Sequence, residues 1–178
     1  MTSGSDSEGL THLDERGNAH MVDVGGKATT VREATASAVL VLQPGTVEKL
    51  TSGTLHKGDA LAVARVAGIM AAKHTPQLIP LCHTVALAAV QVDIAVTVDP
   101  PCAQVTAMVR AADRTGVEME ALVAASTAAL ALYDMVKAVD RGAVIERVQL
   151  EHKQGGVRGD YDRSRAAGAG TVGEVDGG

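Results

Sequence analysis

Two periodicities divide the chain. From Val31 to Leu42 polar and apolar side chains alternate, then give way to a wholly apolar run (VREATASAVLVL), the pattern of a strand entering a core. Gln43-Pro44-Gly45 breaks that run, and Thr46 to Ser52 suits a short helix. Asp59 is placed to cap a second helix, Ala60 to about His74, because its carboxylate accepts N–H groups that the first turn leaves without partners. Thr75-Pro76 ends it, and Pro80 keeps the next stretch irregular. Within Val85 to Val98, β-branched residues fall at every second position from Val90. Asp99-Pro100-Pro101 is a turn and Val105 to Ala111 alternates again, which predicts a hairpin. Val117 to about Val139 has neither Gly nor Pro and is rich in Ala and Leu, so it predicts the longest helix. Arg141-Gly142 stops it, and Val144 to His152 alternates as a last strand.

The order is β-α-β-β-α-β with the first crossover split into two helices. That is the ferredoxin-like α+β arrangement, a four-stranded antiparallel sheet with its helices on one face. Residues 10–162 are expected to form this single domain. Residues 1–9, polar and acidic, and residues 163–178, poor in large apolar side chains, read as disordered tails.

Composition narrows the function. With no Trp, no Phe and only Tyr133 and Tyr161, the core must be aliphatic and its elements closely packed. Sixteen Lys and Arg against 21 Asp and Glu leave a charge of −5, which argues against a nucleic-acid partner. No run of 18 apolar residues suggests a membrane span, and the acidic N-terminus is unlike a signal peptide. Cys82 and Cys102 are too few for a disulfide framework, so reduced thiols and a cytoplasmic location are expected.

Four segments carry more ionisable groups than packing needs. His56-Lys57-Gly58-Asp59 precedes a helix start, where an anion is favoured, although a solvated capping loop is the plainer reading. Leu81-Cys82-His83 lies between a helix and a strand. Zinc is the weaker reading there, since no C-x-x-C or H-x₃-H spacing completes a site, and a half-buried His satisfied by its surroundings is the default. On the long helix, Glu120, Thr127 and Asp134 share one stripe and Lys137 joins it three residues on. A simple ion pair explains Asp134 and Lys137 as well as chemistry does. Lys153, followed by Gly155-Gly156, closes the last strand; the glycines let backbone approach a ligand, as at many chain exits. Packed as expected, these segments would bring Lys57, His83, Glu120, Asp134, Lys137 and Lys153 into one cluster, with cations for phosphates beside carboxylates for proton transfer.

Several stretches together resemble the cyclic pyranopterin monophosphate synthase family of molybdenum-cofactor biosynthesis. They are L-T-H-L-D at 10–14, H-M-V-D-V at 20–24, V-R-E-A at 31–34, H-K-G-D at 56–59, A-R-V-A-G-I at 64–69, L-I-P-L-C-H at 78–83, T-G-V-E-M-E-A-L at 115–122 and Y-D-M-V-K-A-V at 133–139. The resemblance implies a lyase that rebuilds 3′,8-cyclo-7,8-dihydroguanosine 5′-triphosphate into a pyranopterin with a cyclic phosphate, releasing diphosphate. It also implies no cofactor, no metal and a homohexamer built as three dimers with sites between subunits. By the same resemblance Asp134 and Lys137 are the catalytic pair. Leu81, Cys82, His83, Met119, Glu120, Glu118, Lys57, Lys153, Lys27 and Arg32 bind substrate, with Asp23 near the pocket. Thr84 stands where the family usually has Pro, and Lys153 to Asp160 reads K-Q-G-G-V-R-G-D rather than the more usual K-S-G-G-K-S-G-D, so one lysine is lost and Arg158 appears nearby.

In this reading Lys57, Lys153, His83 and Arg32 cradle the phosphates, and Met119 and Leu81 wall the base. Neighbouring cations are expected to lower the pKa of Lys137 in the empty site. A ferredoxin-like module that binds a small molecule without transforming it is the alternative, and a purely structural oligomeriser a third reading.

Overall fold

The computed structural model describes residues 16–55, 58–156 and 159–168, the last three of these by backbone alone. The order is β1 (Thr30–Val41), α1 (Pro44–Ser52), α2 (Ala60–Lys73), α3 (Thr75–Leu78), β2 (Leu87–Val98), β3 (Pro101–Asp113), α4 (Glu118–Val136), β4 (Val144–Gln154), β5 (Tyr161–Asp162) and α5 (Arg163–Gly168). The strands form one antiparallel sheet in the order β2-β3-β1-β4-β5. The first four strands of that order are the ferredoxin-like sheet the alternation predicts, and the two-residue β5 adds an edge pairing His152 with Asp162 and Lys153 with Tyr161.

Two details depart from the expected elements. Thr75-Pro76 does end α2 but opens a one-turn helix, α3, because proline fits the first turn, where its missing N–H costs nothing. Arg163, expected to begin a tail, begins α5 instead. Its Nε donates to the Leu150 carbonyl at 2.7 Å and lies 3.7 Å from Glu151, so the segment after β5 is tied back to β4.

Alternation decides which face of the sheet is dry. Ala34, Ala36, Ala38 and Leu40 of β1 and Ala103, Val105, Ala107, Val109 and Ala111 of β3 are essentially fully buried on one face. Helix α4 lies over these two strands, with α2 beside it against β2. By length and composition α4 could cross a bilayer, yet Ala121, Ala124, Ala125, Ala128 and Leu132 are fully buried against the sheet, as in a core helix. Alanine on alanine brings backbones close. At Gly68 of α2 an added Cβ would stand 2.9 Å from the Ala124 carbonyl oxygen, 3.1 Å from the Ala128 methyl and 3.2 Å from a Val92 methyl. Leu40 and Leu132 supply the bulk elsewhere, each burial stabilising by about 1.5–3 kcal/mol.

Asp59 caps α2 as expected, its Oδ1 accepting the Ala62 N–H at 2.9 Å. On the opposite face of the sheet Ser37, nearly buried, donates to Glu151, which also accepts from Gln149 at 2.8 Å. Burial pushes the Glu151 carboxyl up, but these two hydrogen bonds and the Arg163 guanidinium hold it below the usual range.

Candidate active site

Antiparallel order brings particular chain ends together. The start of β1, the end of β3, the end of β4, the approach to β2 and the first turn of α4 all meet at one end of the sheet. A cavity of about 410 Å³ opens there. Its walls include Lys27, Arg32, Leu81, Cys82, His83, Glu118, Met119, Glu120 and Lys153, together with Arg114 and the Gly155-Gly156 turn. Nine of the residues expected to bind substrate, excepting Lys57, therefore line one space. Lys57, His56, the L-T-H-L-D stretch, Arg158 and residues 1–9 lie outside the described residues.

The two carboxyl groups at the start of α4 have different environments. Glu118 receives the Lys153 ammonium at 3.1 Å, with both side chains about 30% exposed. Glu120 is 3% exposed; its carboxyl accepts from its own backbone N–H and, among the described residues, has no ion-pair partner. Burial raises its pKa, and the charges of Glu118 and Asp113 raise it further, while its own backbone N–H acts in the opposite direction. The pocket thus holds one carboxylate tied to a cation and, beside it, one carboxyl pushed toward its neutral form. Such divergent neighbours are suited to opposite proton-transfer roles. The Cys82 thiol is also raised, by burial and then by Glu120, which disfavours a thiolate.

His83 Nε2 lies 2.8 Å from the Val22 carbonyl, so Nε2 carries the proton and Nδ1 is left for other contacts. This bond pins the loop before β2 to the N-terminal segment. In that segment Asp23 accepts the Gly25 N–H at 2.7 Å, and the Lys27 N–H reaches Val24 O, forming a turn that places Lys27 on the rim. Lys27 and Arg114 are exposed cations without an ion-pair partner among the described residues. Arg114 was missed by sequence reasoning; its adjacency to the end of a predicted strand was the available signal. Among the described residues no three His, Cys, Asp or Glu side chains are grouped to hold a metal.

Arg32 is in the wall but 8% exposed. Its Nε donates to Asp113 O at 3.1 Å, Nη2 to Arg114 O at 3.2 Å and Nη1 to Gly155 O at 3.1 Å.

The expected single cluster is divided in two. Asp134 and Lys137 form an ion pair at 2.6 Å with side chains 56% and 52% exposed, and neither lines the cavity. They sit in and just past the last turn of α4, whereas Glu120 is in its first. At the α-helical rise the separation from Glu120 to Asp134 is about 21 Å. A shared stripe aligned these residues in direction without bringing them close. The Asp134 carboxylate also raises the pKa of Lys137, by a hydrogen bond and by its charge, opposite to the lowering expected from other cations.

Comparison with known proteins agrees with the motifs. The sequence model of the MoaC family matches residues 21–156. A curated relative from Herpetosiphon aurantiacus, named cyclic pyranopterin monophosphate synthase, is 56% identical over 152 residues, covering 85% of this chain and 93% of the relative. Cyclic pyranopterin monophosphate synthase 2 of Mycobacterium tuberculosis is 58% identical over 154 residues, covering 86% of this chain and 91% of its own. The Streptomyces coelicolor protein of the first name is 55% identical over 163 residues, 91% of this chain and 95% of the relative. With the matched span running from the cavity's N-terminal wall to its Gly-Gly turn, the chain belongs to the MoaC family.

Proposed function

We propose that this protein is a cyclic pyranopterin monophosphate synthase, a lyase of molybdenum-cofactor biosynthesis. Its reaction would convert 3′,8-cyclo-7,8-dihydroguanosine 5′-triphosphate to cyclic pyranopterin monophosphate and diphosphate. The observation that carries this is one cavity in which a buried carboxyl, Glu120, with no ion-pair partner among the described residues, is accompanied by the cations Lys27, Arg114 and Lys153. The relatives' shared name supports the same reading.

The reaction needs proton transfers around an opening and re-closing ring, then attack of a ribose-derived hydroxyl on the α-phosphorus. In that last step an O–P bond forms, the bond to the β-phosphate oxygen breaks, and the hydroxyl proton passes to a base. General acids and bases serve the first part. Cations that stabilise equatorial phosphoryl oxygens and departing diphosphate serve the second. Glu120, biased toward its neutral form, supplies a donor to the ring, while Met119 and Leu81 provide aliphatic walls. Lys27, Arg114 and Lys153 meet the triphosphate.

Asp134 with Lys137 completes the proposal as an acid–base pair delivered by a second copy of the chain, in a homohexamer arranged as three dimers. The distance along α4 within one chain supports this, and so does an aliphatic stripe left exposed on the helices: Val63, Val66 and Met70 of α2, with Leu130 of α4. A cytoplasmic setting belongs to the same proposal. Incubation of the purified protein with the cyclic dihydroguanosine triphosphate should release stoichiometric diphosphate and yield the pyranopterin; substrate bound but recovered intact would refute the assignment.

A further inference from the structure

An arginine in a triphosphate-sized cavity invites the reading that it grips phosphate. Arg32 is built for something else. Its Nε and Nη2, which form the edge that would fork onto a phosphate or carboxylate, are taken by two successive carbonyls, Asp113 and Arg114. Its Nη1 is taken by Gly155 O. The side chain is more than nine-tenths buried, so these bonds are desolvated and each carbonyl would be costly to leave alone.

The chain after β4 is shaped to make this contact. Gly155 and Gly156 have φ of +82° and +107°, conformations that side-chain-bearing residues rarely adopt. A Cβ on Gly156 would stand 1.9 Å from Arg32 Nη1, and one on Gly155 would stand 2.1 Å from Val31 O. The turn therefore lies directly on the start of β1, with no room for a methyl group.

Arg32 thus joins, through buried backbone carbonyls, two walls of the cavity that are otherwise linked by the partly solvated Lys153–Glu118 pair. One wall is the exit of β3 leading to Glu118, and the other is the exit of β4 carrying Lys153. We propose that Arg32 is a positioning residue, which sets the spacing of these two segments so that Lys153 meets Glu118 at the cavity wall, and that it is not a phosphate ligand. The proposal rests on the cavity being the substrate site only for its kinetic consequences; the ordering of the two segments stands apart from it.

Arg32→Lys keeps the charge but cannot direct planar donors at three divergent carbonyls. Gly156→Ala keeps every cation and displaces the turn from Nη1. Both variants should lose about a hundred-fold in kcat per folded molecule, the cost of roughly ångström-scale misplacement. KM and its dependence on ionic strength should remain near the wild-type values. Amide hydrogen exchange should rise together in residues 113–116 and 153–156. A phosphate ligand predicts the reverse: Arg32→Lys largely active, Gly156→Ala mildly affected, and Arg32→Gln raising KM with a shallower salt dependence. That pattern, or unchanged exchange in both segments, would overturn the proposal. If Arg32→Lys fails to fold, Gly156→Ala carries the test. If the wild-type protein turns nothing over, the functional reading fails, and hydrogen exchange alone still decides the role of Arg32.

Discussion

The Lys153 ammonium, at the end of β4, lies 3.1 Å from the Glu118 carboxylate in the first turn of α4, and this ion pair bridges two walls of the cavity. Among the described residues Glu120, two positions on and far more buried, has no counter-charge of its own. Burial of one carboxyl and pairing of the other with a cation thus make the two acids unequal.

Lys153→Met should separate stability from binding. The pair is partly solvated, so its loss is expected to cost less than about 1 kcal/mol in chemical denaturation. Binding of the triphosphate should fall much more, because the variant removes a cation from the cavity and leaves Glu118 to repel the anion. Calorimetric titration at two ionic strengths checks this, with a smaller salt dependence expected in the variant. Unaltered affinity would remove Lys153 from the phosphate site.

Glu120 makes stability depend on pH in a direction opposite to that of a salt-bridged acid. Its folded pKa is raised above the ordinary value of 4.5, so the folded state binds the proton more tightly than the unfolded chain. The contribution is fully present below 4.5 and is lost as pH rises through the raised value. Glu120→Gln removes that loss. The variant should therefore melt higher than the wild-type protein at neutral and alkaline pH, by about 2–4 °C for each kcal/mol recovered, and the difference should vanish toward pH 4. Catalysis should fall at the same time. Equal melting temperatures at every pH would mean that the carboxyl is not strained by its burial.

Gly68→Ala sets helix propensity against packing. Alanine is favoured over glycine within a helix by about 1 kcal/mol. Here its methyl would meet the Ala124 carbonyl at 2.9 Å, a backbone atom that cannot turn aside, with Ala128 and Val92 close on either side. Overpacking of this kind costs about 1–3 kcal/mol, so net destabilisation is expected in urea denaturation, together with a small displacement of α2 from α4. A stabilised variant would show that the two helices separate easily.

Much of the fold was legible because alternation and capping are local. Asp59 announces α2, and the small residues of β1 and β3 announce a dry face on which a helix lies close. Helix α3 was not legible as a helix, since Pro76 reads equally as a stop and as a first-turn residue. Strand β5, two residues long, has no periodicity to detect. The site was legible as far as strand ends and helix starts converge. Angular position on α4 placed Glu120 and Asp134 on one stripe but says nothing of distance along the axis, and there the single-cluster expectation failed. Arg32 was visible as a cation, whereas its three carbonyl partners belong to segments 81 to 123 residues away and emerge only on folding.

The division of the site gives the most decisive prediction. Asp134→Asn should retain the fold and bind the triphosphate, since the Asp134–Lys137 pair is exposed and outside the cavity, yet turnover should be lost. Lys153→Met should be impaired at the cavity itself. If each site combines the cavity of one chain with the Asp134–Lys137 pair of another, the two variants complement when their subunits are mixed. A symmetric pair containing one of each has one site with both defects and one with neither. Random mixing in equal amounts then restores about a quarter of wild-type sites, because half of the pairs are mixed and half of their sites are intact. Refolding the variants together and separately, followed by a diphosphate-release assay, reads this directly. Recovery in the mixture alone supports a shared site. No recovery, from subunits shown by mass spectrometry to have exchanged, would confine catalysis to groups within a single chain and remove Asp134 from the chemistry of this cavity.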